Sequence, residues 1–252
     1  MMGEEIVDRS AMVVLRDGGC MQPGVRQALA ALYRICARYP LNPDMSYCRH
    51  CVDEDEVRVL QVVPLQDLSA GQLRRLAWKA GGTWGDERDW LHFAPRILEL
   101  FALGAFDDPT LLDKTLSRLK AAAAGWRAED RAAVEAYRFA LWRDFLAGWP
   151  TAMAADDMVE ALSGFDEDLQ PYLDIWSATP STTAARHLAS FVAYYVVPVC
   201  DELGRVEAWM AGDAPLRLLD TARAATAEAN ILAELDAAIV RIRDYQAWLE
   251  RR

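Results

Sequence analysis

The sequence predicts an all-α fold: a right-handed stack of antiparallel helix pairs of the HEAT or armadillo kind, with a compact multi-helix bundle as the alternative. Three observations predict it. Alanine, leucine and arginine dominate the chain, and all three favour helix. Apolar residues recur at three- and four-residue spacing, the period of an amphipathic helix. Strand signals are scarce; the best apolar run outside a helical pattern, Val57 to Leu65, begins as the tail of an acidic segment.

A longer period supports the stack. Leu73 and Leu76 recur as Leu116 and Leu119, and again as Val159 and Leu162, each time 43 residues on. Trp84 and Trp126, both at expected turns between paired helices, are 42 apart. HEAT and armadillo repeats run to about 40–47 residues, because a helix pair cannot cover its own apolar face and must stack on the next. A leucine-rich helical protein also produces such offsets by chance, so the bundle stays open.

The elements follow in order. The first helix starts near Pro23, a residue tolerated in a first turn, and buries Val25, Leu29, Leu32, Ile35 and Cys36 before Pro40 and Pro43. Leu41 to Tyr47 links it to Cys48-Arg49-His50-Cys51. The carboxylates Asp53 to Glu56 suit a helix N-terminus and its partial positive charge. Ser69 is the N-cap of a helix that Gly81-Gly82 stops. Asp86 or Glu87 opens the next, which runs towards Gly104 with Pro95 inside it, where a kink near Leu91 is expected. Asp108-Pro109 opens a helix to Ala124, and a long one spans Glu129 to Ala147. Shorter helices follow near Asp156–Leu162, Asp168–Ser177, Ser181–Val197 (stopped by Pro198), Asp201–Met210 and Pro215–Ala225. A last helix from about Thr226 to Trp248 either caps the stack, as terminal repeats must, or mediates self-association through the stripe Ile231, Leu235, Ile239 and Ile242. The organisation is one helical domain, 1–252, with an N-terminal helix and cysteine segment over 1–66 and stacked pairs over 67–252.

Composition narrows the function. The chain carries 27 Lys and Arg against 38 Asp and Glu, a net charge of −11, and 53% of its residues are apolar. That apolar content supports a large core and argues against intrinsic disorder. The acidic balance argues against nucleic-acid and membrane-surface partners, which need cations to meet phosphates. No transmembrane window and no secretory leader are read from the sequence, and five scattered cysteines do not form a disulfide framework, so a cytoplasmic home is expected. Alanine and arginine richness suggests a GC-rich bacterial coding bias.

Two motifs bear chemistry. Cys48 and Cys51 form a lone C-x-x-C around His50. As a zinc site it needs four ligands, and no second Cys/His pair sits at suitable spacing, although Cys20, Cys36, His92 or Cys200 could approach in space. As a redox motif it needs a strand before it and a helix N-terminus to favour thiolate, and the adjacent Asp53, Glu54, Asp55 and Glu56 oppose one. As a structural turn it needs nothing more. The second motif is Trp84-Gly85-Asp86 followed by Asp89, His92 and Arg96, the last three at i, i+3 and i+7 on one helix face. That trio suits an anion, a proton transfer or a partner surface; equally, Asp86 caps the helix, Asp89 pairs with His92, and Arg96 braces the next repeat. Acid pairs at Asp107-Asp108, Asp156-Asp157 and Asp166-Glu167-Asp168 read as helix caps. No nucleophile elbow, zinc-protease helix, phosphate loop or diiron Glu-x-x-His pair occurs. The nine tryptophans read as inter-helix filler, with one or two as interface anchors.

The stretch with Cys48-x-x-Cys51, Thr83-Trp84-Gly85-Asp86, Asp89, His92-Phe93 and Pro95-Arg96-Ile97-Leu98-Glu99-Leu100 resembles a pattern in bacterial proteins of unassigned function, in which a short cysteine-pair segment precedes helical repeats. The resemblance covers roughly residues 40–105. It implies a helical fold and carries over no activity.

The function expected is therefore a soluble acidic module that binds another protein, a basic one, through Trp84, Asp86, Asp89, His92 and Arg96. One concrete version is a bacterial immunity protein masking a cationic toxin. The alternatives are a metal-dependent or anion-handling enzyme using Cys48, Cys51 and the Asp89/His92/Arg96 face, and a scaffold subunit of a larger assembly. No cofactor is expected; zinc at Cys48 and Cys51 is the exception to test.

Overall fold

A computed structural model describes residues 21–166, 168–194 and 204–251. The Cys20 and Cys200 thiols, Glu167, the expected stop at Pro198 and the expected start at Asp201 lie outside the described residues. Within them the chain is all-α, with twelve helices and no strand. They are α1 Pro23–Cys36, α2 Glu54–Val62, α3 Ala70–Lys79, α4 Glu87–Ala102, α5 Pro109–Ala123 and α6 Ala128–Ala147. The second half holds α7 Ala155–Phe165, α8 Gln170–Ser177, α9 Thr182–Tyr194, α10 Gly204–Ala211, α11 Ala214–Ala225 and α12 Ala229–Glu250. A 3-10 turn, Leu65–Asp67, leads from α2 towards α3. The apolar run from Val57 thus ends as helix and turn rather than strand.

Local chemistry accounts for most boundaries. Ser69 and Gln72 form a reciprocal capping box at the start of α3, and Asp86 and Asp89 form another at α4. Asp108 caps α5 by accepting from the Leu111 N–H at 3.0 Å. Gly81 and Gly104, both with left-handed φ (72° and 68°), terminate α3 and α4. Pro95 is accommodated inside α4 and is buried there.

The repeat positions are core positions. Leu73, Leu76, Leu116 and Leu119 are fully buried, and Val159 and Leu162 nearly so. Their helices lie in a row, with α3 packed on α5 and α5 on α7. On the other side α1 packs on both α4 and α6. At the C-terminal end α9, α11 and α12 pack on one another, and Ile231, Leu235, Ile239 and Ile242 of α12 are buried. One continuous apolar core runs from Met21 to Ile242. Trp142 and Trp176 are fully buried in it, edge to face with centroids 5.2 Å apart, and Trp176 stacks on Trp209 at 5.3 Å. No helix among the described residues is long and apolar enough to cross a membrane.

One acid pair departs from its expected role. Asp166 closes α7 through its backbone, but its carboxylate does not cap a helix start; it ion-pairs with Arg138 of α6 and accepts from the Tyr172 hydroxyl at 2.6 Å. Arg138 is only 6% exposed and lies 4.0 Å above the Phe165 ring. Its partner is set by packing between α6, α7 and α8, which local sequence does not encode.

Candidate functional site: a cysteine knuckle on the first turn of α4

Residues 45–52 form a compact loop between α1 and α2. Met45 and Val52 anchor it in the core, while Ser46, Cys48, Arg49 and His50 face solvent. The Cys51 and Val52 N–H groups both donate to the Cys48 carbonyl oxygen, at 2.8 and 3.0 Å, which closes a tight knuckle around the two cysteines. Cys48 is exposed and Cys51 half-buried, and both are free thiols.

The knuckle is clamped to the turn before α4. Tyr47 and Trp84 form an isolated antiparallel bridge. The Cys48 N–H donates to the Thr83 carbonyl oxygen at 2.8 Å, and the Gly85 N–H donates to that of Ser46 at 2.6 Å. Gly85 has φ 62°, and a Cβ there would lie 2.8 Å from the Asp89 Cβ, so both conformation and space require glycine. A second clamp comes from α3. Arg75 donates to the Cys51 carbonyl oxygen and to Glu56 Oε2 at 2.6 Å. Glu56 in turn accepts from the Asp53 N–H at the start of α2.

This geometry changes the electrostatic reading of Cys48. The nearby His50 backbone N–H, the Cys51 thiol and backbone N–H, and the charge of Lys79 all favour its thiolate. Together they hold the Cys48 thiol below the ordinary cysteine value. The acids expected to oppose a thiolate are partly neutralised: Glu56 pairs with Arg75, and Asp55 with Arg58 at 2.9 Å. Cys36 is the opposite case. Buried on α1, it is pushed up to about 12 chiefly by desolvation. Among the described residues, no group of three or more His, Cys, Asp and Glu side chains is arranged to hold a metal ion, so Cys48 and Cys51 have no third such ligand beside them.

The five expected partner-contact residues are placed differently from a shared surface. Trp84 is 1% exposed and belongs to the core, its indole N–H without a partner among the described residues. Asp86 is exposed and accepts from the Asp89 N–H at 2.9 Å. Asp89 is buried, and its Oδ2 accepts from the Asp86 N–H at 2.9 Å. Asp89 therefore serves the capping box rather than His92. His92 Nδ1 lies 3.0 Å from the Tyr39 carbonyl oxygen, beyond the end of α1. Arg96 donates to the Leu68 carbonyl oxygen at 2.8 Å and to Glu99 Oε2 at 2.7 Å. Glu99 also accepts from the Tyr33 hydroxyl at 2.7 Å, and burial followed by this contact raises the Tyr33 pKa. The helical spacing brings these side chains onto neighbouring turns, but each is engaged with a separate backbone or cap. Arg75 and Lys79 were not legible as neighbours of the cysteines, because they lie 24 to 31 residues away in sequence.

Two open clefts lie elsewhere, each of about 420 Å³. The first is walled by Trp149, Asp157 and His187. Its His187 ring sits against Phe145 and Trp149, with Nε2 2.7 Å from the Gly148 carbonyl oxygen, the geometry of a donated N–H that braces the turn. The second, between α5 and α6, is walled by Lys120, Arg131, Glu135 and Arg138 over Phe165.

Compared with family models, with curated proteins and with solved structures, the chain has no significant match.

Proposed function

We propose that the chain is a helical protein-binding module whose partner is basic, and that the knuckle end of the molecule is the surface it uses. The observation that carries this reading is a rim of exposed carboxylates there. Asp44, Asp53, Glu54, Asp86 and Glu87 are all exposed and form no ion pair among the described residues. They adjoin or flank the Cys48–Val52 loop in the chain, or the turn bonded to it. Val62, at the end of α2, is 70% exposed and supplies an apolar contact at the same helix. Unpaired acids steer a cationic partner and set its register, and a few apolar groups then hold it. An inhibitor that masks a basic toxin is the concrete version of this reading, supported by the charge and the helical scaffold alone.

The metal- or anion-handling alternative has weaker support, because Arg96 is already engaged by a carbonyl and by Glu99. The test is affinity co-purification of the tagged chain at low salt, against a variant with Asp44→Asn, Asp53→Asn, Glu54→Gln and Glu87→Gln. A basic protein should be retained by the native chain, released by raised salt, and lost with the variant. Retention that ignores both salt and the four substitutions would refute the reading.

A further inference from the structure

We propose that Cys48 and Cys51 are a dithiol–disulfide couple that exchanges with small aliphatic disulfides, Cys48 attacking and Cys51 resolving. The inference is independent of the partner proposed above.

Three geometric observations carry it. The Cys51 and Val52 N–H groups donate to the Cys48 carbonyl oxygen at 2.8 and 3.0 Å, so residues 48 and 51 are held at the two ends of one tight turn. Their exposure differs in the sense the roles require: Cys48 is open to a reagent, while Cys51 is half-buried behind it. The loop is held by two backbone bonds to residues 83 and 85 and by Arg75 on the Cys51 carbonyl, so the two sulfurs do not need to find each other. Donors around Cys48 favour its thiolate, which is the nucleophile in exchange. A surface turn that served packing alone would need none of these, since Met45 and Val52 already plug the core.

The chemistry balances without a further reagent. The Cys48 thiolate attacks one sulfur of RS–SR, forming Cys48–S–SR and releasing RS⁻. The Cys51 thiol gives its proton to the released thiolate. Its sulfur then attacks the Cys48 sulfur, forms the Cys48–Cys51 bond and expels the second RS⁻, which takes a proton from water at neutral pH. Counted from the dithiol, whose Cys48 proton passed to water on ionisation, the chain loses two electrons and two protons, and the disulfide gains them as two thiols.

The test uses the full chain, reduced and freed of reductant, treated with 2-hydroxyethyl disulfide under argon and followed by intact mass and peptide mapping. The native chain should lose two hydrogens in mass and show a Cys48–Cys51 link. Cys51→Ser should stop at a mixed disulfide on Cys48. Cys48→Ser should react several-fold more slowly at Cys51 and form no link. Circular dichroism checks that both variants remain helical. Alkylation by iodoacetamide across pH gives a second readout. Cys48 should reach half its maximal rate at lower pH than N-acetylcysteine, and each tenfold gain in thiolate fraction should raise the rate near neutral pH about three- to fourfold after the loss in nucleophilicity. Three results would overturn the proposal: equal rates at Cys48 and Cys51, mixed disulfides that never resolve in the native chain, or stoichiometric Zn²⁺ binding to both thiols that blocks exchange.

Discussion

Gly85→Ala probes the link between the cysteine knuckle and α4, and Gly81→Ala is its control. Both glycines have left-handed φ, 62° and 72°. Alanine in that conformation costs about 1–2 kcal/mol. The unfolded chain gives back about 0.4–1 kcal/mol, because alanine has less freedom to lose. Gly81→Ala meets no atom within 4 Å, so it should cost about 1 kcal/mol in total. At Gly85 the new methyl would sit 2.8 Å from the Asp89 Cβ, 2.9 Å from Asp89 Oδ2 and 3.1 Å from the Met45 sulfur. Asp89 cannot swing away without surrendering its bond to the Asp86 N–H, and it is only 6% exposed. Overpacking of this kind adds about 1–3 kcal/mol. The two variants should therefore differ by about 2 kcal/mol, or about 4–8 °C in Tm for a chain of this size. Urea unfolding at unchanged m-value measures the gap. Equal losses at the two positions would refute the crowding argument. Gly85→Ala should also change the alkylation rate of Cys48, because the Gly85 N–H holds the Ser46 carbonyl, whereas Gly81→Ala should not.

Three further outcomes follow from buried polar groups. Cys36 keeps its proton in the folded chain, being pushed up to about 12, and yields it in the unfolded chain near 9.0. The unfolded state then binds fewer protons above pH 9, so stability is full below that value and falls as pH rises towards 12. Between pH 8 and 10 the native chain should lose about 1.4 kcal/mol that Cys36→Ala does not lose; parallel slopes in denaturation at the two pH values would refute the assignment. Asp166→Asn leaves the buried Arg138 charge without its carboxylate, with only the Tyr172 hydroxyl as acceptor, and should cost about 3 kcal/mol, with most of it recovered by adding Arg138→Met. A single-variant loss below about 1 kcal/mol would sink this reading of the pair. Tyr137→Phe removes a hydroxyl that donates to the Leu98 carbonyl at 2.9 Å in full burial and should cost about 1 kcal/mol by thermal melting; no loss would mean that the bond contributes nothing.

Elements were legible where their cause is local. Ser69 with Gln72, Asp86 with Asp89, Asp108 with Leu111, and the left-handed glycines at 81 and 104 act within a few residues, and sequence places those helix ends to within a residue or two. The 43-residue offsets likewise find three helices in one row, because equal spacing puts equivalent leucines on equivalent faces. Partners far apart in sequence were not legible. Asp166 reads as a cap until Arg138, 28 residues earlier, folds against it. Trp84 reads as an anchor until its turn is covered by the knuckle. Asp89, His92 and Arg96 share a helical face by spacing, yet each is engaged by a group from elsewhere or by its own cap. Spacing determines which side chains can meet, and tertiary packing decides which do.

The cysteines make the same point in chemical terms. Cys36, Cys48 and Cys51 are one residue type within a span of sixteen positions. On α1 the helical period turns Cys36 inward, where desolvation keeps the thiol neutral and makes it a small hydrophobe. Cys48 lies in the loop between α1 and α2, and the nearby His50 and Cys51 donors lower its thiol pKa. The acids that follow are engaged as α2 starts: Glu56 is drawn to Arg75 and the Asp53 N–H, and Asp55 to Arg58. A charge count along the sequence sets four carboxylates against a thiolate. In the folded chain two of them already have cationic partners. Nearby backbone donors and Lys79 thus favour the thiolate against the sign of the local sequence charge, because two of the four acids are paired and the others are solvated.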